Sequence, residues 1–328
     1  MISHSPSKSL PVTPVMVLEA RKRLMGITIH TPTEPSVNLT SLVGAPISVK
    51  WESLQKTGVF KLRGAYNKIV SIPKEKARNG VVTASTGNHA LAVAYAAQQC
   101  GVAATVVVPE QASQLKVDKC RRYGAEIINY GSNYDEAAKY SNELSQKMDA
   151  TLIHAYADPL VIAGQGTVGV ELLMDSPNTD IVLVPIGGGG LISGVSLWVK
   201  SVNPKAQIIG VQTTATRAFF ENFKAGRLFH VPIEPTIADG LAGNTAQLNL
   251  EVGFKFVDDV ILVEEDGLRE AIRWTLLNEQ RVLEPSGVVG IAALLQKKLT
   301  IPQKEHVVVI ASGSNIDPQL LRDILTTK

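Results

Sequence analysis

The chain has little cysteine, no long hydrophobic run and no excess of charge of either sign. Its 328 residues include 2 cysteines, Cys100 and Cys120, too few for a disulfide framework and in no zinc-ligand spacing. Basic residues number 32 and acidic residues 30, a net charge of +2, so neither nucleic acid nor a membrane surface is an expected partner. No apolar stretch reaches the ~18 residues of a membrane span. The opening segment MISHSPSKSLPVTP lacks the apolar core of a signal peptide.

Several motifs that mark common enzyme classes are also missing. There is no Walker lysine and no H-E-x-x-H, so the signatures of P-loop nucleotide hydrolases and of one group of zinc proteases are absent. The basic run 116–122 (KVDKCRR) is interrupted by an acid and is typical of a solvent-facing helix. Together with the scarce cysteine, these absences predict a soluble cytoplasmic protein.

What the chain does contain is a regular alternation of strand and helix patterns. The predicted strands are 47–52, 81–85, 104–109, 126–130, 151–155, 181–186, 207–212, 260–263 and 306–312. The predicted helices are 15–25, 61–71, 88–99, 113–122, 133–147, one from about Leu191, 266–280 and 287–298. This order predicts an α/β fold with two open, mainly parallel twisted sheets flanked by helices. A chain of this length is more often two domains than one.

Lys61 is a cation among apolar neighbours, Val59, Phe60 and Leu62. Burial disfavours an ammonium group, so a lysine in this setting is a candidate for a lowered pKa. A partly neutral amine can form a Schiff base with an aldehyde. The alternative is a lysine whose stem packs at the start of a helix while its amine stays in water.

A run of glycines, Gly187 to Gly190, follows a predicted strand directly and begins a helix. Its free amides and the helix dipole suit a phosphate, although a tight turn is the alternative. The nucleotide fingerprint G-x-G-x-x-G does not fit, and the next strand ends at Gln212 where a ribose-binding acid is expected. The sequence therefore favours a small phosphorylated cofactor over a dinucleotide.

Two further turns carry polar side chains at strand ends. Ser85-Thr86-Gly87-Asn88-His89 combines hydroxyls with the N-terminal amides of a helix, which suits a carboxylate. Asn88 could donate to a cofactor oxygen, while His89 taken alone is more typical of a structural cap. Ser312-Gly313-Ser314-Asn315 follows the last strand, where open α/β sheets bind ligands, although such a turn is also common without function.

Together these segments resemble one family, the fold-type II pyridoxal-phosphate enzymes with the fold of the tryptophan synthase beta subunit. Within it the chain is most similar to serine/threonine dehydratases (threonine ammonia-lyases) and serine racemases. The matching segments, in order from about Pro14 to the end, are VFKLRGA (59–65), STGNHA (85–90), GGGGLISG (187–194), ADGLAGN (238–244), LEPSGVVGIAAL (283–294) and SGSN (312–315).

The resemblance implies a role for each site residue. Lys61 is the catalytic residue that would bind pyridoxal 5'-phosphate as a Schiff base and later take the Cα proton of the substrate. Thr86 is the second catalytic candidate. The other residues implied to bind the cofactor are Phe60, Asn88, Gly187, Gly188, Gly189, Gly190, Leu191, Gly240, Glu284 and Ser312. The residues implied to bind the substrate carboxylate are Ser85, Thr86, Gly87 and His89.

Ser312 would face the pyridine nitrogen. A serine there leaves that nitrogen without a counter-ion, which favours loss of a β-leaving group over transamination.

Three departures from the family pattern modify these expectations. Relatives with a divalent metal site carry an acid where this chain has Gln212, with Thr216 and Ala218 at the other ligand positions, so no metal is expected. Racemases place a serine as second base where this chain has Thr86. Some biosynthetic threonine dehydratases carry a C-terminal allosteric domain, and this sequence stops at Lys328, so such feedback control is not expected.

The predicted function is β-elimination from a small β-hydroxy amino acid such as L-threonine or L-serine, giving a 2-oxo acid and ammonia. One alternative is a serine or aspartate racemase. Others are a specialised dehydratase for hydroxyaspartate, phenylserine or hydroxyectoine breakdown, and, from another class, a non-catalytic amino-acid or nucleotide binding protein. The resemblance also implies a homodimer, with a large cofactor domain (1–81 plus 158–328) and a small mobile domain (82–157).

Overall fold

The structure, a computed structural model, describes residues 9–112 and 114–326, and its strands form two sheets. The strands are β1 (Thr33–Pro35), β2 (Ile47–Lys50), β3 (Val81–Ala84), β4 (Ala104–Val108), β5 (Glu126–Asn129), β6 (Thr151–Leu152), β7 (Ile181–Pro185), β8 (Gln207–Thr213), β9 (Asp259–Val263) and β10 (Val307–Ile310). The larger sheet has six strands in the order β1-β2-β10-β7-β8-β9, and the smaller has four in the order β5-β4-β3-β6.

Parallel pairing dominates the larger sheet. Every residue of β7 (IVLVP) and of β10 (VVVI) is buried, as expected for strands covered on both faces. The strands from β2 to β9 in the sheet order are parallel to their neighbours, and β1 runs antiparallel at the edge. The predicted α/β class with two mainly parallel sheets is therefore confirmed.

The smaller sheet is built from the segment between Val81 and Leu152, and all its strands are parallel. Its last strand, β6, is shorter than the predicted strand 151–155. Nδ1 of His154 accepts hydrogen bonds from the backbone N–H of Tyr156 (3.2 Å) and of Ala157 (2.9 Å). These bonds turn the chain at His154 and end the strand.

Helices cover both sheets. They are α1 (Pro14–Leu24), α2 (Val37–Val43), α3 (Lys61–Val70), α4 (Lys74–Ala77), α5 (Asn88–Cys100), α6 (Gln114–Arg121), α7 (Tyr134–Lys147), α8 (Pro159–Asp175), α9 (Gly190–Val202), α10 (Ala218–Ala225), α11 (Gln247–Phe256), α12 (Asp266–Glu279), α13 (Pro285–Leu295) and α14 (Pro318–Thr326). Most predicted helices agree within about two residues. The predicted 287–298 helix instead ends at Leu295, and residue 113 of the predicted 113–122 helix lies outside the described residues. None of the helices in the described ranges is long and apolar enough to cross a membrane.

The sequence analysis assigned no helix to α8, the 17-residue helix at the centre of the larger unit. Its start carries ordinary signals, because the side chain of Asp158 accepts from the backbone N–H of Leu160 and Val161 and Pro159 is the first residue. Residues from Val161 to Leu173 are all buried, the polar Gln165 and Glu171 included, so the helix is buried around its whole circumference. A helix of that kind shows no 3.6-residue periodicity, which is the signal the sequence analysis depended on.

α8 crosses α3 at very short range, and this crossing fixes the helix that begins at Lys61. A Cβ added to Gly64 of α3 would lie 2.8 Å from the backbone oxygen of Val161. Gly64 also donates its N–H to Oε1 of Gln165 (3.2 Å), and Nδ2 of Asn67 donates to the backbone oxygen of Leu160 (2.7 Å).

A buried ionic cluster lies beneath the same helix. Arg63 donates to both carboxylate oxygens of Glu52 (2.8 and 2.8 Å) and to both of Glu171 (2.7 and 2.7 Å). Nζ of Lys50 donates to Glu171 at 3.0 Å. A third carboxylate, that of Asp175, lies 3.8 Å from Nζ of Lys50. The paired hydrogen bonds of Arg63 tie the start of α3 to α8 and to the turn after β2.

Candidate active site

A cavity of about 760 Å³ lies at the carboxyl ends of β3, β7 and β10, between the two sheets. Ligands of open α/β sheets bind at this end of the strands. Every residue proposed from the sequence lines it: Phe60, Lys61, Ser85, Thr86, Gly87, Asn88, His89, Gly187, Gly188, Gly189, Gly190, Leu191, Gly240, Glu284 and Ser312. The structure thus brings the predicted set together, while the role of each residue stays a prediction.

Lys61 is the first residue of α3 and opens onto this cavity. Its Nζ donates to the backbone oxygen of Ala155 (3.2 Å) and lies 5.3 Å from the centre of the Phe60 ring. Burial lowers the pKa of Lys61 to about 8, and the nearby carboxylate of Glu284 opposes that shift. A minority of this amine is therefore neutral at pH 7, a larger fraction than in an ordinary lysine, which is the lowered pKa for which the apolar sequence context made Lys61 a candidate.

The segment before Lys61 is held by the turn after β10. Val59 and Gly313 form an antiparallel bridge, and Phe60 donates its N–H to the backbone oxygen of Ser312 (3.2 Å). The N–H of Ser314 donates to the backbone oxygen of Gly58 (2.9 Å). Lys61 and Ser312 are thereby fixed on one short ladder, although they are far apart in sequence.

The glycine run forms a close cradle at the start of α9. Gly189 has φ +98°, which favours glycine, and none of the described side chains caps this helix. A Cβ at Gly188 would lie 2.4 Å from the ring of Tyr156, and one at Gly187 would lie 2.9 Å from the backbone oxygen of Gly240. The exposed amides of an uncapped helix start are suited to a phosphate.

The turn after β3 forms the opposite wall. Oγ of Ser85 accepts the N–H of Gly87 (3.2 Å), and α5 begins at Asn88 without a cap from any described side chain. His89 is buried, with Nε2 3.0 Å from the backbone oxygen of Ile153, an atom that only accepts. Burial, and to a lesser degree the charge of Lys61, lowers the pKa of His89 to about 3. His89 is therefore a neutral donor to Ile153, and what it can offer a substrate carboxylate is its backbone.

Glu284 is the N-cap residue of α13 and reaches the other end of the cavity. Both of its carboxylate oxygens accept from Nδ2 of Asn88, at 2.7 and 3.0 Å. A Cβ at Gly313 would lie 2.1 Å from Oε1 of Glu284, so only glycine leaves room for this side chain. The contact joins the first residue of α5 to the larger sheet unit.

Other residues that line the cavity were not singled out from the sequence. They include Lys119, Tyr134, Asp135, Tyr156, His230, Ser286 and Asn315. Lys119 belongs to the basic run expected to face solvent. Tyr156 lies in an irregular segment after β6, where no periodic pattern marks it. Asn315 could have been identified from the sequence, because it lies in the same strand-end turn as Ser312.

Gln212 and Thr216, at the end of β8 and in the turn after it, are held by hydrogen bonds to nearby backbone. Oε1 of Gln212 accepts from the N–H of Phe220 (2.8 Å), and Nε2 donates to the backbone oxygen of Ile186 (3.2 Å). The hydroxyl of Thr216 caps a short turn by accepting from the N–H of Thr213 (3.2 Å). Within residues 9–112 and 114–326, no cluster of three or more His, Cys, Asp or Glu side chains could hold a metal.

Comparison with known proteins agrees with this arrangement. The chain matches the model of the pyridoxal-phosphate dependent enzyme family over residues 25–313. It is 42% identical over 310 residues to an L-threonine ammonia-lyase of Thermotoga maritima, covering 94% of this chain and 77% of that protein. It is 36% identical over 313 residues to a serine racemase of Oryza sativa subsp. indica, covering 94% of this chain and 92% of that protein.

A solved structure gives the same result. Maize serine racemase superposes with a TM-score of 0.91 at 35% identity, over 96% of this chain and 97% of that one. The fold and the buried lysine thus define an α/β enzyme with a cofactor-sized cavity. The chain belongs to the pyridoxal-phosphate dependent enzyme family.

The cavity fits that cofactor. An aldehyde requires a reactive amine, and Lys61 supplies one with a lowered pKa. A phosphate requires backbone donors at close range, and the glycine cradle at the start of α9 leaves no space for side chains. Ser312, at the end of the Val59–Gly313 ladder, is 3% exposed and adds a buried hydroxyl.

Proposed function

We propose that this chain is an ammonia-lyase that eliminates the β-hydroxyl of a small amino acid such as L-threonine or L-serine. The observation that carries the proposal is Lys61, a buried amine with a pKa of about 8 between the cradle at Gly187 to Gly190 and the turn at Ser85. The relatives named L-threonine ammonia-lyase support the same chemistry.

In this proposal the glycine cradle would hold the phosphate of the cofactor, and Lys61 would hold its aldehyde carbon through the amine. Phe60 and Gly240 would hold the ring, Asn88 would donate to the ring oxygen, and Ser312 would serve the pyridine nitrogen. Bound pyridoxal phosphate supplies electron withdrawal from the substrate's Cα.

The remaining steps belong to the side chains and backbone of this chain. Ser85, Thr86 and Gly87, with the backbone of His89, bind the substrate carboxylate. Lys61, freed when the amine of the substrate takes its place, would remove the Cα proton, and the β-hydroxyl would leave as water with a proton from a nearby acid. The enamine released then takes up water, loses ammonia and leaves a 2-oxo acid, so that one amino acid gives one 2-oxo acid and one ammonia.

The proposal is tested by release of 2-oxo acid and ammonia from L-threonine, L-serine, D-serine, threo-3-hydroxyaspartate and phenylserine. Equal release of both products from L-threonine or L-serine is expected. Release from only the bulkier or acidic members would show a specialised dehydratase. A purified protein that is colourless and releases nothing would overturn the proposal in favour of a binding protein.

Serine or aspartate racemisation is the second candidate, because relatives named serine racemase match 94% of the chain and Thr86 places a hydroxyl in the same cavity as Lys61. Threonine adds a methyl group where such racemases place serine, which is why elimination is ranked first. Chiral analysis of recovered amino acid separates the two. Inversion faster than 2-oxo acid release would make racemisation the main activity.

We also propose that the small domain (82–157) closes over the large domain (1–81 plus 158–328) when substrate binds, and that the chain acts as a homodimer in the cytoplasm. The four-stranded sheet, built within Val81–Leu152, supports a separate closing unit. Free Cys100 and Cys120 suit a reducing compartment. Hydrogen exchange with and without substrate tests closure, and light scattering tests the dimer.

A further inference from the structure

Asn88 and Asn315 form a hydrogen-bond chain between the backbone of Thr57 and the carboxylate of Glu284. Nδ2 of Asn315 donates to the backbone oxygen of Thr57 (2.9 Å) and to Oδ1 of Asn88 (2.8 Å). Nδ2 of Asn88 then donates to the carboxylate oxygens of Glu284 at 2.7 and 3.0 Å. This series of hydrogen bonds therefore links the segment before Lys61, the turn after β10 and the start of α5.

The hydrogen bonds in this series can be donated in only one direction. A backbone carbonyl accepts and never donates, and an ionised carboxylate does the same, so both ends are acceptors. If the amide of Asn315 were turned around, its oxygen would face the oxygens of Thr57 and Asn88. Asn315 must therefore present its NH₂ group to Asn88, and Asn88 must present its own NH₂ group to Glu284.

Asn315 is itself held in place. Gly58 has φ +72°, and a Cβ there would lie 3.1 Å from Oδ1 of Asn315, so the close approach of the side chain depends on glycine. The neighbouring Ser314 donates its hydroxyl to the backbone oxygen of Ser53 (3.0 Å). The amide that orients Asn88 thus sits on a fixed turn.

We propose that Asn315 is a positioning residue that fixes the amide of Asn88 with its NH₂ group toward the ring oxygen of the cofactor. The inference rests on the proposed contact between Asn88 and that oxygen. An amide NH₂ has two N–H donors, so Asn88 can serve the ring oxygen and Glu284 together. With the amide reversed, the ring oxygen would face another acceptor.

The test is the absorption spectrum of the holoenzyme in the Asn315→Asp variant, together with the rate at which cofactor dissociates on dilution. The new carboxylate would face the oxygens of Thr57 and Asn88 and displace or reverse the Asn88 amide. We expect a shifted absorption maximum, because the ring oxygen belongs to the light-absorbing system, and release that is faster by about tenfold, the effect of ~1.4 kcal/mol. Asn315→Ala, which removes the donor without adding charge, should give a smaller shift in the same direction.

Asn203→Asp is the matched control. Nδ2 of Asn203 also donates to a backbone oxygen, that of Thr179 (3.2 Å), near the amino ends of β7 and β8, opposite the strand ends that face the cavity. The same exchange of amide for carboxylate should lower thermal stability there and leave the spectrum unchanged. Asn315 variants that behave like Asn203→Asp, less stable but with the wild-type spectrum, would overturn the proposal.

Asn88→Asp separates this inference from the contact on which it depends. We expect it to shift the spectrum like Asn315→Asp, and the double variant to shift it no further than the larger single change. A shift with Asn88→Asp but none with either Asn315 variant would overturn the inference and leave the contact standing. No shift with any of them would overturn both.

Discussion

Gly64 on α3 and Gly164 on α8 are in direct contact, and this contact sets the position of Lys61 relative to the cavity. A Cβ added to Gly164 would lie 2.6 Å from the Cα of Gly64 and 2.6 Å from the backbone oxygen of Arg63. Backbone cannot move aside as a side chain does, so any residue larger than glycine must push the helices apart. Because α3 begins at Lys61, that displacement reaches the reacting amine.

Gly164→Ala should therefore destabilise the fold and impair the site together. Overpacking of this kind costs ~1–3 kcal/mol. We expect a lower melting temperature and a holoenzyme that binds less cofactor at saturation. Gly169→Ala is the control on the same helix. The nearest atom to its Cβ would be Cγ2 of Val199 at 3.3 Å, compared with 2.6 Å at Gly164. Equal effects of the two substitutions would contradict this account.

The buried ionic cluster should make the stability of the fold depend on pH in the acidic range. Burial alone would raise the pKa of Glu171, but the charges of Arg63 and Lys50, with their hydrogen bonds, hold it below the usual 4.5. A carboxylate with a depressed pKa stabilises the fold above its unfolded pKa, and that contribution is lost as pH falls through the folded value.

Glu171→Gln should thus lose on the order of 3–5 kcal/mol near pH 7, because it removes one of the two carboxylates that face Arg63 and the carboxylate to which Lys50 donates. The difference from wild type in urea unfolding should shrink on acidification. Glu251→Gln also removes one negative charge, but at an exposed position. It should neither lower the stability nor change how the stability depends on pH. A difference between Glu171→Gln and wild type that stays constant with pH would contradict the assigned pKa direction.

Lys61 should react as an amine with a pKa of about 8. In cofactor-free protein, labelling of Lys61 by an amine-reactive reagent, followed by mass spectrometry, should rise with pH around that value, because only the neutral amine reacts. Glu284→Gln removes the charge that raises this pKa, so the midpoint should move to lower pH. Glu251→Gln should leave the midpoint in place. A midpoint near 10.5, the usual lysine value, would show that burial does not lower the pKa of the amine.

The glycine cradle can be tested through its contact with Tyr156. A Cβ at Gly188 would lie 2.4–2.5 Å from three atoms of the Tyr156 ring. Gly188→Ala should weaken cofactor binding by roughly 10- to 100-fold, the effect of ~1–3 kcal/mol of overpacking. If the clash with the ring is the cause, Tyr156→Ala should restore part of the affinity in the double variant. Independent, additive losses would show that the alanine disturbs the phosphate site directly.

Much of this site could be predicted because it is built from short strand-end turns. Gly187 and Ser312 follow apolar strands that are parallel neighbours, so their carboxyl ends lie at one edge of the larger sheet. Ser85 follows an apolar strand of the smaller sheet in the same way. The apolar context of Lys61 also marked it as a candidate for a lowered pKa. These features are local in sequence, so they can be recognised without knowing the fold.

Other features depend on contacts between distant segments. The helix at Pro159–Asp175 is buried on all sides, and its periodicity is lost for that reason. Tyr156 is placed by the turn that His154 makes, and the role of Asn315 appears only when Thr57 and Asn88 are seen beside it. Arg63 likewise looks like an ordinary helix cation until Glu52 and Glu171 are brought against it.

The most direct test of the central claim is to locate the cofactor on the chain. Holoenzyme treated with borohydride, which fixes a lysine–aldehyde linkage as a stable amine, would be digested and mapped by mass spectrometry. The account predicts the cofactor on the peptide that contains Lys61, with Lys61→Ala losing both that label and release of 2-oxo acid from L-threonine. Label on another lysine, or turnover that persists in Lys61→Ala, would contradict it.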